Sequence, residues 1–139
     1  ISAALVALAI ADRLSKTGTS LGEHLASLKE KYGYRPTAQV SVRVENRAMV
    51  SEILTRLSEN PPTVLQGHAI RVEDLSKPTG DLPPTDGLRF DLADSRRVIV
   101  RPSGTEPKLK CYLQAIGLNQ AEAKEKLAAL RAAMLTILQ

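Results

Sequence analysis

Two apolar β runs bracket a short polar turn near the C-terminus, and no other feature constrains the fold as tightly. Val98-Ile99-Val100 leads into Arg101-Pro102-Ser103-Gly104-Thr105-Glu106-Pro107-Lys108, and a second run follows from Leu109 to Leu113. Strand periodicity sends Leu109, Cys111 and Leu113 to one side and Lys108, Lys110, Tyr112 and Gln114 to the other. This is a hairpin with one core face and one open face. Its turn carries the chemistry of an anion site. An arginine pairs bidentately with phosphate oxygens, and Ser103 and Thr105 each supply a hydroxyl donor. Gly104 is expected to take positive φ so that successive backbone N–H groups converge on an anion. Pro102 and Pro107 fix φ at the flanks. The competing reading is a polar turn with a Ser-Gly centre. Arg101 before the turn, with Lys108 and Lys110 after it on the open face, favours the anion site.

The turn is not a Walker loop, because G-x-x-x-x-G-K-[ST] is absent. Ser103 is not read as a nucleophile either, since G-x-S-x-G is absent and the histidines, His24 and His68, are remote in sequence. Glu106 would repel a phosphate, so it is expected to turn away and accept loop N–H bonds. Cys111, on the core side, reads as a small buried hydrophobe. His24 on a helix and His68 in a turn lack metal-ligand company.

The rest of the chain organises around this hairpin. Ala4, Leu8, Ala11 and Leu14 share a helical face, and Thr17-Gly18-Thr19 breaks the run. Ser20 with Glu23 is a capping-box signature for a second helix carrying Leu21, Leu25, Leu28 and Tyr32, which Gly33 ends. Composition changes at Arg35-Pro36, which divides the chain into a helical segment, 1–35, and a second unit, 36–139. There Val40, Val42 and Val44 alternate with polar residues. Asn46 caps a helix presenting Met49, Val50, Ile53, Leu54 and Leu57, which Asn60-Pro61-Pro62 stops. Strands follow at Ile70–Val72 and Leu88–Leu92, separated by a Pro/Gly-rich stretch from Lys77 to Pro84 without regular structure. A final helix starts near Asn119, with Glu122 as in a capping box, and buries Leu127, Leu130, Met134 and Leu138. The order β-α-β-β-β-β-α predicts an α+β fold, an antiparallel sheet with helices packed on one face, preceded by a helical hairpin.

Composition narrows the partners. Lys and Arg number 19 against 15 Asp and Glu, a net charge of +4 that suits an acidic ligand. Aromatics make up 3%, which disfavours the stacking platforms of single-strand nucleic-acid binders. The single cysteine fits a reducing, cytoplasmic setting. Ile1 to Ala11 is apolar but is cut short by Asp12-Arg13, far below a membrane span, and reads as a buried helix.

Arg-Pro-Ser-Gly-Thr-Glu-Pro followed by a basic β segment resembles the C-terminal phosphate-binding loop of the α-D-phosphohexomutases, a family that includes phosphomannomutase and phosphoglucomutase. Asp86-Gly87-Leu88-Arg89-Phe90 resembles the strand that precedes the loop in that family. Thr37 to Val44 resembles the first strand of its last domain, and Ile1-Ser2-Ala3-Ala4-Leu5 the helix closing its third. The resemblance implies a sheet similar to the TATA-binding-protein fold, with no implication of DNA binding. It implies an intramolecular phosphotransferase, an isomerase, that moves phosphoryl between the 1- and 6-hydroxyls of a hexose. A phosphoserine and Mg²⁺ would assist, with a hexose 1,6-bisphosphate as intermediate. The role it implies here is a grip on the non-reacting phosphate by Arg101, Ser103, Gly104, Thr105 and Lys110, the last matching a basic residue often present as Arg. The family's Ser-His-Asn-Pro, Asp-Gly-Asp-Gly-Asp-Arg and Gly-Glu-x-Ser-Gly-His motifs do not occur in this sequence. The chain is therefore expected to be a C-terminal piece of a longer enzyme, inactive alone. Its partners would be a hexose phosphate and the remaining domains, not a membrane or nucleic acid, and the exposed 1–35 helices could self-associate. The sugar's identity stays open, and a stand-alone basic module for RNA or an acidic partner is the alternative.

Overall fold

The structure, a computed structural model, describes residues 2–77 and 83–138; residues 78–82 of the Pro/Gly-rich stretch lie outside them. Helices α1 (Ser2–Thr17) and α2 (Leu21–Tyr32) come first, then β1 (Thr37–Arg43) and α3 (Arg47–Glu59). Strands β2 (Val64–Leu65), β3 (His68–Asp74), β4 (Leu88–Leu92), β5 (Arg97–Pro102) and β6 (Lys108–Gln114) precede the closing helix α4 (Gln120–Leu138). The strands form one six-stranded sheet in the order β1-β6-β5-β4-β3-β2, antiparallel at every pairing. Helices α3 and α4 cover one face, as expected for an α+β layer.

Local signals account for these boundaries. Ser20 and Glu23 form the reciprocal capping box, and Gly33 ends α2 at φ 79°. The Asn46 side chain accepts the Met49 N–H at 3.0 Å and starts α3. Asn119 accepts the Glu122 N–H at 2.9 Å, while the Glu122 carboxylate reaches the N–H of Leu118 rather than that of the cap. The short strand β2 escaped the pattern reading because two residues are too few to alternate. It turns into β3 through Gln66 (φ 51°) and Gly67 (φ 76°), the paired left-handed residues of a tight hairpin. His68 consequently opens β3 instead of lying in a turn.

The core sits between the sheet and α3/α4. Val98, Val100, Leu109 and Cys111 are fully buried, and Leu130, Met134 and Leu138 meet them from α4. Leu127 is only partly buried at the edge of that stripe. Ile70, Val72 and Ala38 continue the same face outward. Among the described residues, no helix covers the opposite face of the sheet.

The first two helices divide the expectations: the exposed apolar face anticipated for the 1–35 helices is found, while the buried helix read near the N-terminus is not. Leu14 is the single buried residue of α1, and α2 has none among its described residues. Leu8 is 66% and Leu21 67% exposed, so the apolar stripe expected to be buried is open within this chain. The segment is tied to the sheet by the Tyr34–Gly117 bridge, with N···O distances of 2.9 and 3.0 Å, and little else of size. Burial is what stabilises helices of this length in water. In monomeric samples, α1 and α2 amides should therefore exchange through local openings near the bottom of the energy range, while β5 and β6 amides wait for global unfolding. Equal protection of α1 and β5, measured by hydrogen exchange on a monomer, would contradict this.

Candidate anion-binding site

The β5–β6 hairpin closes through the Ser103 N–H on the Lys108 carbonyl at 2.9 Å, and the Lys108 N–H returns to the Glu106 carbonyl at 2.8 Å. Pairing in register puts Arg101 directly opposite Lys110, Val100 opposite Cys111 and Ile99 opposite Tyr112. With Val98, Val100, Leu109 and Cys111 buried, Arg101 and Lys110 both stand on the uncovered face, Arg101 exposed and Lys110 half-buried. Like charges directly opposite each other destabilise a sheet. Among the described residues, neither side chain has a hydrogen bond or ion pair to offset the repulsion.

A second like-charge pair lies one step away and is resolved differently. Arg43 of β1 faces Lys108, and Glu106 bonds both: Arg43 Nη2 lies 3.1 Å from its carboxylate, and Lys108 Nζ forms a short ion pair with it. The hydrogen bond and charge of Lys108 hold the Glu106 carboxyl below the usual range, with smaller contributions from Arg43 and Lys110. Glu106 thus turns away from the loop centre as expected, but it binds side-chain cations rather than loop N–H groups. This leaves Lys108 largely committed and Arg101 with Lys110 uncommitted.

The loop supplies further donors. The N–H groups of Gly104, Thr105 and Glu106 and the hydroxyls of Ser103 and Thr105 take no partner among the described residues. Gly104 corrects one expectation: it is not among the positive-φ glycines, and a Cβ built there would meet nothing within 4 Å. The stretch between Ser103 and Lys108 is long enough to turn without a left-handed residue. No left-handed residue therefore draws the loop's N–H groups into a nest.

Pattern reading missed two residues beside the loop and the reason for a third. Arg43 arrives through the β1–β6 register, and Arg47, at the start of α3, donates from Nη2 to the Gly104 carbonyl at 3.5 Å. Both are far away in sequence and carry only the generic look of solvated charge. Gly87 was visible within the Asp86-Gly87 motif, but its reason was not. At φ 148° its Cα presses on β5, where a Cβ would lie 2.8 Å from the Val100 carbonyl and 3.2 Å from the Arg101 Cβ.

Other polar groups have structural duties. Arg96 is buried, with Nε 2.8 Å from Asp94 Oδ2 and Nη1 on the Gln66 amide oxygen, and it staples the β4–β5 turn to the β2–β3 turn. His68 Nε2 lies 3.7 Å from the same Asp94 carboxylate, and His24 sits on α2. Cys111 is sealed in the core, and burial pushes its thiol up to about 12. The thiolate is the reactive form, so iodoacetamide at pH 8 should label Cys111 only as fast as the chain unfolds. Prompt native-state labelling, followed by mass spectrometry, would contradict that burial.

Known proteins share this architecture. The family described as phosphoglucomutase/phosphomannomutase, C-terminal domain, matches residues 40–134. A probable phosphomannomutase of Haemophilus influenzae is 34% identical over 128 residues, which is 92% of this chain and 26% of that protein. A phosphoglucomutase of Staphylococcus aureus is 30% identical over 118 residues, 74% of this chain and 21% of that protein. The open-form crystal structure of pp63/parafusin, a phosphoglucomutase from Paramecium, superposes with a TM-score of 0.63 at 20% identity, covering 86% of this chain and 22% of its own. The chain thus spans about a fifth to a quarter of the length of these relatives. On the family match and the Haemophilus identity together, this chain belongs to the phosphoglucomutase/phosphomannomutase family, as its C-terminal domain.

Proposed function

We propose that residues 36–139 are the phosphate-gripping domain of a phosphohexose mutase, and that the 1–35 helices belong to the unit before it. The observation carrying this reading is the Arg101–Lys110 pair, two cations in cross-strand register with no carboxylate among the described residues bound to either, beside uncommitted loop donors. A dianion placed between them turns their repulsion into attraction. Arg101 offers two parallel donors and fixes orientation; Lys110 adds a point charge; Ser103 and Thr105 hydroxyls and the Gly104 N–H complete the grip.

Holding the phosphate that does not react leaves the other end of the sugar where phosphoryl transfer occurs. A hexose 1,6-bisphosphate intermediate could then be gripped by either end. Positioning of this kind is a large part of catalysis in phosphoryl transfer. Mg²⁺ belongs to the proposed whole enzyme, supplying charge neutralisation there. Among the described residues no group of three or more His, Cys, Asp or Glu side chains comes together; in this reading the metal's ligands belong to the remaining domains. Also among the described residues, no helix is long and apolar enough to cross a membrane. A cytoplasmic location goes with this reading, as does contact of the bare α1/α2 faces with further domains or with a second copy.

Amide shifts of the labelled chain, followed while inorganic phosphate or glucose 6-phosphate is added, test the proposal. The expected result is millimolar binding, about −4 kcal/mol, with the largest shifts at Gly104, Thr105 and Glu106. The chain alone should turn over neither glucose 1-phosphate nor mannose 1-phosphate. A loop that stays silent while RNA binds with a steep salt slope would replace the proposal with a nucleic-acid module.

A further inference from the structure

We infer that the open sheet face beside Arg101 and Lys110 is a shelf for the pyranose ring of the same ligand, with Tyr112 and Ile99 as its floor and Gln39 and Gln114 as its hydroxyl contacts. The inference rests on the phosphate grip proposed above and adds a second subsite to it. Register divides the face into rows. The first is Ser41, Lys110 and Arg101; the next is Gln39, Tyr112 and Ile99; the third is Thr37, Gln114 and Arg97. Same-face side chains recur every second residue, about 6.6–6.8 Å apart along a strand. A ligand held by its phosphate in the first row therefore lays its next group over the second.

The chemistry of those rows is that of a neutral polyol site. A concavity of about 570 Å³ lies over the second and third rows, lined by Gln39, Ile99, Tyr112, Gln114, Thr37 and Arg97. Tyr112 and Ile99 are half-buried side by side and give the floor an apolar, ring-sized surface. The Gln114 amide and the Tyr112 hydroxyl have no partner among the described residues, and Gln39 has one long bond, 3.5 Å, to Ser41 Oγ. Amides both donate and accept, as vicinal hydroxyls require. Arg97 does not make the third row a second anion site, because Asp91 Oδ1 already holds its Nε at 2.7 Å. Farther along, Arg89 is held by Glu73 and Asp91. Among the described residues, Arg101 and Lys110 are thus the uncommitted cations beside the shelf; Arg71, also without an ion pair, stands beyond Asp91 at the far end of the third row. An Ile–Tyr cross-strand pair serving stability alone accounts for the floor, but not for two amides beside it whose hydrogen-bonding capacity is largely unused.

Binding of inorganic phosphate, glycerol 3-phosphate and glucose 6-phosphate to the full chain, read from amide shifts, tests the shelf. Glucose 6-phosphate should bind roughly ten-fold tighter than the other two, with added shifts at Tyr112 and Gln39. Tyr112→Ala should remove that advantage and leave the inorganic phosphate affinity unchanged, while Tyr112→Phe retains most of it. Should Tyr112→Ala fail to fold, Gln39→Ala on the edge strand β1 carries the same expectation, a loss of several-fold for the hexose phosphate alone. If phosphate binds at the loop and the hexose adds nothing, the shelf is wrong and the grip stands. Equal weakening of all three ligands in the variants also overturns it. Absence of any anion binding at the loop removes both readings together.

Discussion

Replacing Arg101 with alanine is expected to be the most damaging single change at the loop. In a full-length enzyme carrying this domain, kcat/KM should fall by about 10²–10³-fold, because two charge-assisted hydrogen bonds are lost at roughly 1.5–3 kcal/mol each, less what solvent at an open rim returns. KM should rise and kcat should fall together. The guanidinium fixes the angle at which the phosphate sits, and that angle sets where the distant reacting oxygen lies. Lys110→Ala should do less, since an ammonium contributes charge without a planar fork. Lys108→Ala should do least, because Glu106 already binds that ammonium. Steady-state kinetics of the three variants give the order. An Arg101→Ala enzyme with normal melting and near-normal kcat/KM would return the loop to the status of an ordinary turn.

That ranking was legible before the fold only in part. Ser20, Asn46 and Asn119 marked helix starts because a cap is a local device, written within four residues. The parity of β5 and β6 was equally readable, since burial of Leu109, Cys111 and Leu113 follows from alternation alone. What brings Ser41, Gln39 and Arg43 beside the hairpin is the pairing of β1 with β6, and no local pattern encodes which strand lies next to which. The commitment of Glu106 to Arg43 and Lys108 was hidden for the same reason. The burial of Arg96 carried no local signal, because its partner Gln66 lies in a turn beside a strand too short to alternate. The exposed stripes of α1 and α2 show the converse case: periodicity states that a face seeks cover and is silent about whether the cover lies in the same chain.

Gly87 is the position where fold and site are joined most tightly, and Gly87→Ala should damage both. Its φ of 148° is strained for any residue with a Cβ, at about 1–3 kcal/mol. The methyl would also stand 2.8 Å from the Val100 carbonyl oxygen, backbone that cannot rotate away. Relief requires β4 and β5 to part at that point. The Gly87 carbonyl is held by the Leu75 N–H at 2.9 Å, so the β4 side resists and the strain passes to β5. The residue it meets there is Arg101, whose Cβ is 3.2 Å from the intruding methyl. A melting temperature lower by roughly 10 °C is expected for a domain of this size, together with a loss of phosphate affinity near that of Arg101→Ala. Gly104→Ala is the control within the loop: with no positive φ and nothing within 4 Å of the new methyl, it should change stability by no more than about 0.5 kcal/mol. A double-mutant cycle separates the two consequences of Gly87→Ala. If the glycine acts on binding by placing Arg101, its effect on phosphate affinity should nearly vanish in an Arg101→Ala background, while its effect on melting persists. Additive losses of affinity would mean that Gly87 serves the fold and has no part in aiming the guanidinium.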